Sequence, residues 1–134
     1  MEFALVLPLL AVFLFGIVQF GIAYDAKQSV NSAAREGARL GALRTTTVPQ
    51  IQARATGTYG NSAAPGGPPA VNVYGVIVSP AASVQFPAGA GPCASTSPRY
   101  EFVRVEVVKP YTVTIPFVPL NPINLTSIGE FKCE

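Results

Sequence analysis

From Phe3 to Tyr24 the chain runs for twenty-two residues without a charged side chain, and Gln19 is the only strongly polar group among them. At about 1.5 Å of helical rise per residue this run reaches roughly 33 Å, enough to cross a hydrocarbon core of ~30 Å. A helix half-buried in a soluble core would show a polar face, and Phe3 to Gln19 shows none. A signal peptide would carry a basic leader, an apolar stretch of about 7–15 residues and a small-residue cleavage site. Here no Lys or Arg precedes the run, and the run is too long. Hydropathy therefore supports a membrane anchor. Every Lys and Arg lies C-terminal to it, so the positive-inside rule alone would leave the rest of the chain in the cytoplasm. A basic leader removed from the N-terminus would lift that expectation.

The helical pattern continues beyond the anchor to about Arg44. Pro8 removes one backbone hydrogen bond inside the run and is expected to kink or loosen it, and Gly16 and Gly21 weaken it further. From Ala33 onward, Ala33, Ala34, Gly37, Ala38, Gly41 and Ala42 fill one half of the helix circumference, with Arg35, Glu36 and Arg39 on the other. A face of Ala and Gly lets another backbone approach closely. It can serve either the chain's own sheet or another subunit. Arg35 and Arg39 are like charges one turn apart and call for carboxylate partners elsewhere.

Thr45-Thr46-Thr47-Val48-Pro49 ends this helix, because β-branched residues and the position before proline disfavour its continuation. Pro49 fits the first turn of a short second helix near 49–57, capped near Thr47 or Val48. Asn61 to Pro69 reads as a loop. The remainder reads as strands: Val71 to Val78, broken by Pro80; a short Val84 to Phe86; Tyr100 to Val108; Tyr111 to Pro116 after a bend at Pro110; and Ile123 to Cys133, with Gly129 a candidate bulge. Loops occupy Ala88 to Pro92, Ser95 to Pro98 and Phe117 to Pro122. In the clearest strand Phe102, Arg104, Glu106 and Val108 share one face, and Val103, Val105 and Val107 the other. One covered and one wet face fits an antiparallel sheet. The class is α+β: a long N-terminal apolar helix over residues 1–44, then a β-rich domain over 45–134 with a short helix and a small antiparallel sheet.

With 49% apolar and 12% charged residues, the composition suits a membrane or assembly protein better than an ordinary soluble one. A net charge of +2 on scattered basic residues gives no footprint for nucleic acid. The chain has no histidine. Glu101 and Glu106 share a strand but point to opposite faces, a poor acid–base pair. Neither a phosphate-binding glycine motif nor a serine elbow occurs, so no enzymatic activity and no cofactor are expected. Cys93 and Cys133 lie too far apart in sequence for metal-site spacing. They read as a disulfide if the domain lies outside the cytoplasm, or else as two buried thiols. Asn124-Leu125-Thr126 matches the short N-glycosylation pattern.

Glu2 has two readings. It sits among headgroups near a helix N-terminus, where the dipole favours it, or it pairs with the α-amino group of a neighbouring copy and sets axial register.

The words Glu2-Phe3-Ala4-Leu5-Val6-Leu7-Pro8-Leu9-Leu10, Phe15-Gly16-Ile17-Val18-Gln19-Phe20-Gly21 and Ala33-Ala34-Arg35-Glu36-Gly37-Ala38-Arg39 occur in that order. Together they resemble the N-terminal region of the TadE-like proteins of tight-adherence pilus systems. The likeness covers the first forty-four residues densely, and the closing Phe131 to Glu134 is similar only loosely. The resemblance implies a pseudopilin-like subunit of a bacterial type IV-related filament. Its helix would be embedded in the inner membrane as a precursor and buried in the filament core after assembly, with the β-domain facing outward on the cell surface. It also implies a homo-oligomeric helical filament for adhesion, together with the pilus assembly machinery and a prepilin peptidase as partners. Glu2, Phe3, Pro8, Gly16, Gly21, Arg35, Glu36 and Arg39 are the assembly residues carried over. Two other roles fit the same residues: a minor, membrane-bound pseudopilin that initiates assembly, or a plain anchored binding module. The chain departs from the family in placing its carboxylate second rather than about fifth, with no basic leader or glycine before it. It also has Gln19 where Glu is frequent.

Overall fold

The computed structural model describes residues 2–60, 64–78, 82–94, 100–113 and 121–134, excepting the side chains of 2–5. Several sequence expectations fall outside these residues. They are the side chains of Glu2 and Phe3, part of the Asn61–Pro69 loop, Pro80, the Ser95–Pro98 loop, the strand beyond Val113, and most of the Phe117–Pro122 loop.

Helix α1, Glu2–Gly41, is unbroken through Pro8, so the helical pattern ends three residues before Arg44. Helix α2, Val48–Tyr59, is longer than the sequence suggests. Thr47 is its N-cap, and the Thr47 backbone N–H donates to Gln50 Oε1 at 2.9 Å, one arm of a capping box. Gly60 closes it at φ 64°, with its N–H on the Thr56 carbonyl at 3.2 Å.

Four strands follow: β1 (Ala70–Ile77), β2 (Ala82–Phe86), β3 (Phe102–Tyr111) and β4 (Ile123–Lys132). They form one sheet in the order β2-β1-β3-β4, every pair antiparallel. The fold is thus α+β, with a long apolar helix, a short helix and a four-stranded antiparallel sheet. Two expectations are corrected. Pro110 does not bend the chain into a new strand; β3 passes through it, paired with Asn124. The β1 ladder starts at Ala70 opposite Val108, so Pro110 has no ladder bond to lose on that side. Gly129 is not a bulge either, because it pairs in register with Val105.

The alternation in β3 decides which face is covered. Val103, Val105, Val107, Lys109 and Tyr111 are buried, and the residues between them are half-buried. Against this valine face lie Val30, Ala33, Ala34, Ala38 and Ala42 of α1 and Val48, Ile51 and Ala55 of α2. The small-residue face of α1 therefore packs on the chain's own sheet and on α2. A Cβ at Gly37 would stand 3.1 Å from Ala55 Cβ and 3.2 Å from Val105 Cγ1. A Cβ at Gly129 would collide with the Ala34 carbonyl, so β4 meets the α1 backbone with no side chain between them. On the opposite, open face Arg104 pairs with Glu130, and the Tyr74 hydroxyl donates to Glu106 Oε2 at 3.2 Å. Burial, and then the Glu106 carboxylate, hold that hydroxyl's pKa above its ordinary value.

The β2–β3 connection is tied to the start of α2. The Val48 N–H donates to the Gly89 carbonyl and the Gly91 N–H to the Thr46 carbonyl, both at 2.9 Å. From this connection Cys93 bonds to Cys133, with Cα atoms 5.3 Å apart. The disulfide reading thus holds, and no free cysteine exists among the described residues. The Glu134 N–H donates to the Ala42 carbonyl at 3.2 Å, and Arg44 Nε to the Glu134 carbonyl. The end of the chain is thereby locked onto the end of α1.

Candidate membrane and assembly surface

Helix α1 has two halves with opposite surroundings. From Ala26 onward one face is buried in the domain. From Val6 to Val18 only Ala11 is even half-buried; the rest are exposed. Leu7, Leu9, Leu10, Val12, Phe13, Leu14 and Ile17 each keep more than three-fifths of their surface open. The helix is long and apolar enough to cross a membrane by length and composition. A soluble monomer rarely shows so large an apolar patch, so this surface is built to be covered.

Within it, Leu9, Val12, Phe13, Gly16, Ile17 and Phe20 line a shallow groove. Gly16 is its floor: a Cβ there would meet nothing within 4 Å, and the same is true at Gly21. The two glycines are therefore not forced by the fold of this chain. They leave room that a neighbouring helix can enter. Pro8 lies in the exposed stretch, where any carbonyl it frees is open to a neighbour.

The charged residues singled out on α1 are split by the structure. Glu36 Oε1 accepts from Arg54 of α2 through both Nε at 3.1 Å and Nη2 at 2.6 Å, a charge-assisted clamp between the two helices. That hydrogen bond, helped by the charges of Arg54 and Arg39, lowers the Glu36 pKa against a smaller opposing effect of burial. Arg39 stands 3.9 Å from the same carboxylate and is largely exposed. Arg35 is exposed and makes no ion pair among the described residues. Glu36 thus has a partner inside its own chain, and Arg35 and Arg39 face outward.

Sequence reasoning missed the contact that joins the two halves. Tyr111, 1% exposed, points its hydroxyl at Gln19, 3.4 Å from the carbonyl and 3.3 Å from Oε1. Around this contact Ala26, Ala64 and Tyr111 form a small core, with Ile22, Ala23, Val113 and Leu125 against it. Gln19 stands out in sequence as the one polar group of the run. Its partner lies ninety-two positions away, and nothing local marks Tyr111. Lys27 and Lys109 were also missed; their ammonium groups donate to the Thr126 and Gly67 carbonyls. Among the described residues no three His, Cys, Asp or Glu side chains gather as a metal site would require.

Residues 1–39 match the family model described as TadE-like protein. Over those 39 residues, a little under a third of its length, the chain is similar to TadE-like proteins. The matched segment ends two residues before the last residue of α1, so the TadE-like part is the helix, bare half and packed half together. No curated protein and no solved structure matches the chain. A TadE-like helix with an uncovered apolar half fits a pilus-associated, pseudopilin-like protein anchored in a membrane.

Proposed function

We propose that this chain is a pilin-like structural subunit that polymerises through its N-terminal apolar helix into an extracellular, tight-adherence filament for adhesion. One observation carries the reading: a single helix, matched by the TadE-like family model, is packed along one face in its second half and bare from Val6 to Val18. Lipid covers the bare half in the precursor, and the helices of neighbouring copies cover it in the filament. Once the helix is in lipid, association draws on close packing rather than on transfer from water. The groove at Gly16, flanked by Phe13 and Phe20, provides that packing. Glu2 pairs with the amino terminus of a neighbour and fixes register, with desolvation offsetting much of the attraction. A prepilin peptidase and the pilus assembly machinery act on the precursor at the inner membrane. The role is structural rather than catalytic.

The test is negative-stain microscopy of cell-surface filaments carrying a tagged copy of this chain, with Leu10→Arg and Glu2→Ala variants beside it. Labelling along the whole filament supports the proposal, and both variants should then lose filaments. Labelling confined to tips or bases would instead assign a minor, initiating subunit, and no filament at all a plain anchored module. Normal filaments from both variants would overturn the assembly role of the helix.

A further inference from the structure

The sheet domain begins before the apolar run ends. The run reaches Tyr24, but the domain already grips α1 at Gln19 through Tyr111, and Ile22 and Ala23 pack against the same small core. Phe20, Gly21 and Tyr24, on the other side of the helix, stay exposed. The apolar run thus continues five residues, about 8 Å at the helical rise, past the level at which the domain first touches the helix. A bilayer that covers the bare half reaches the level at which the domain starts.

We infer that the base of the sheet domain, the end carrying Tyr111, Val113 and Ile123, is a lipid-contact surface that rests in the headgroup region of the bilayer. This inference rests on the membrane-bound precursor stage proposed above. Three features at that end support it. Ile123 opens β4 directly opposite Tyr111 in the ladder and is about half exposed, an apolar side chain the domain covers only in part. Tyr24 lies beside Phe20, ring centroids 6.5 Å apart, while its hydroxyl accepts from Gln28 Nε2 at 2.9 Å. An aromatic with one apolar and one wet end is suited to the membrane–water interface. The ammonium groups of Lys27 and Lys109 are drawn inward onto main-chain carbonyls, which holds both cations against the protein rather than out toward lipid.

The chain contains no tryptophan, so single tryptophans report depth without background. Leu14→Trp, Tyr24→Trp, Ile123→Trp and Val84→Trp are made in the full chain and reconstituted at low density into phosphatidylcholine–phosphatidylglycerol vesicles. The lipids are brominated either near the headgroup end or near the tail end of the acyl chain. Val84 pairs with Gly75, itself opposite Val103, about 27 Å along β3 from Tyr111 at the strand rise. The expected result is strongest quenching of Leu14→Trp by tail-end bromine. Tyr24→Trp and Ile123→Trp should be quenched several-fold more than Val84→Trp, and mainly by headgroup-end bromine. Ile123→Trp as unquenched as Val84→Trp, with Leu14→Trp quenched, would overturn the inference and leave the membrane stage standing. An unquenched Leu14→Trp would overturn both. Burial of Ile123→Trp that appears only at high protein density would assign the base to a second copy and overturn the lipid assignment.

Discussion

Gly129 of β4 and Ala34 of α1 meet backbone to backbone: a Cβ on Gly129 would run into the Ala34 carbonyl and the Arg35 nitrogen. Neither partner can yield cheaply, since one is a helix and the other a paired strand. Gly129→Ala should lower stability by about 1–3 kcal/mol, the usual cost of overpacking, and Gly129→Val by more. Denaturant unfolding in detergent measures it. Gly57→Ala in α2, where nothing lies within 4 Å, should instead gain about 0.5–1 kcal/mol from helix propensity.

Tyr111→Phe removes the hydroxyl from Gln19 and should cost about 1 kcal/mol. Adding Gln19→Leu removes the acceptor side chain as well, and the double variant should lose less than the sum of the two single losses. A double-mutant cycle on unfolding free energy checks this, and strictly additive losses would contradict the contact.

The Cys93–Cys133 bond closes a loop spanning forty positions, worth about 4 kcal/mol in the chain-entropy model. Reduction, or Cys93→Ser with Cys133→Ser, should lower the melting temperature of the β-domain sharply. The helical circular dichroism of α1 in detergent should largely survive.

Glu36 lies a dozen residues beyond the apolar run, and its pKa is lowered by the Arg54 hydrogen bond. A carboxylate with a depressed folded-state value stabilises the fold above its unfolded value of about 4.3 and loses that contribution as pH falls through the folded value. The wild-type melting temperature should therefore exceed that of Glu36→Gln at pH about 7. The gap should narrow below pH about 4. A gap that does not change with pH would show that the Glu36–Arg54 clamp contributes nothing through charge.

Periodicity made much of this fold legible. The period-two pattern of Phe102 to Val108 placed the right residues on each face, and the small residues of Ala33 to Ala42 marked the face that packs. Neighbour-dependent features were not legible. Pro110 looks like a break until it is known that β1 begins only opposite Val108, and Gly129 looks like a bulge until α1 is seen lying on it. Thr47 and Gln50 have the capping-box spacing, so the start of α2 could have been fixed from sequence. At the candidate surface the bare apolar half was readable from hydropathy alone. The Glu36–Arg54 clamp and the Tyr111–Gln19 contact were not, because each joins elements whose relative placement no local pattern encodes.

The packed half of α1 also has a history in time. Its Ala and Gly face is synthesised first, yet the strand residues that cover it, Val103 and Val105 of β3 and Gly129 of β4, emerge between about sixty and ninety-five residues later. Contacts so distant in sequence form slowly. Throughout that interval the nascent helix offers a sticky stripe to any other helix nearby. Newly made copies therefore have to be kept apart until their own sheet has closed over it.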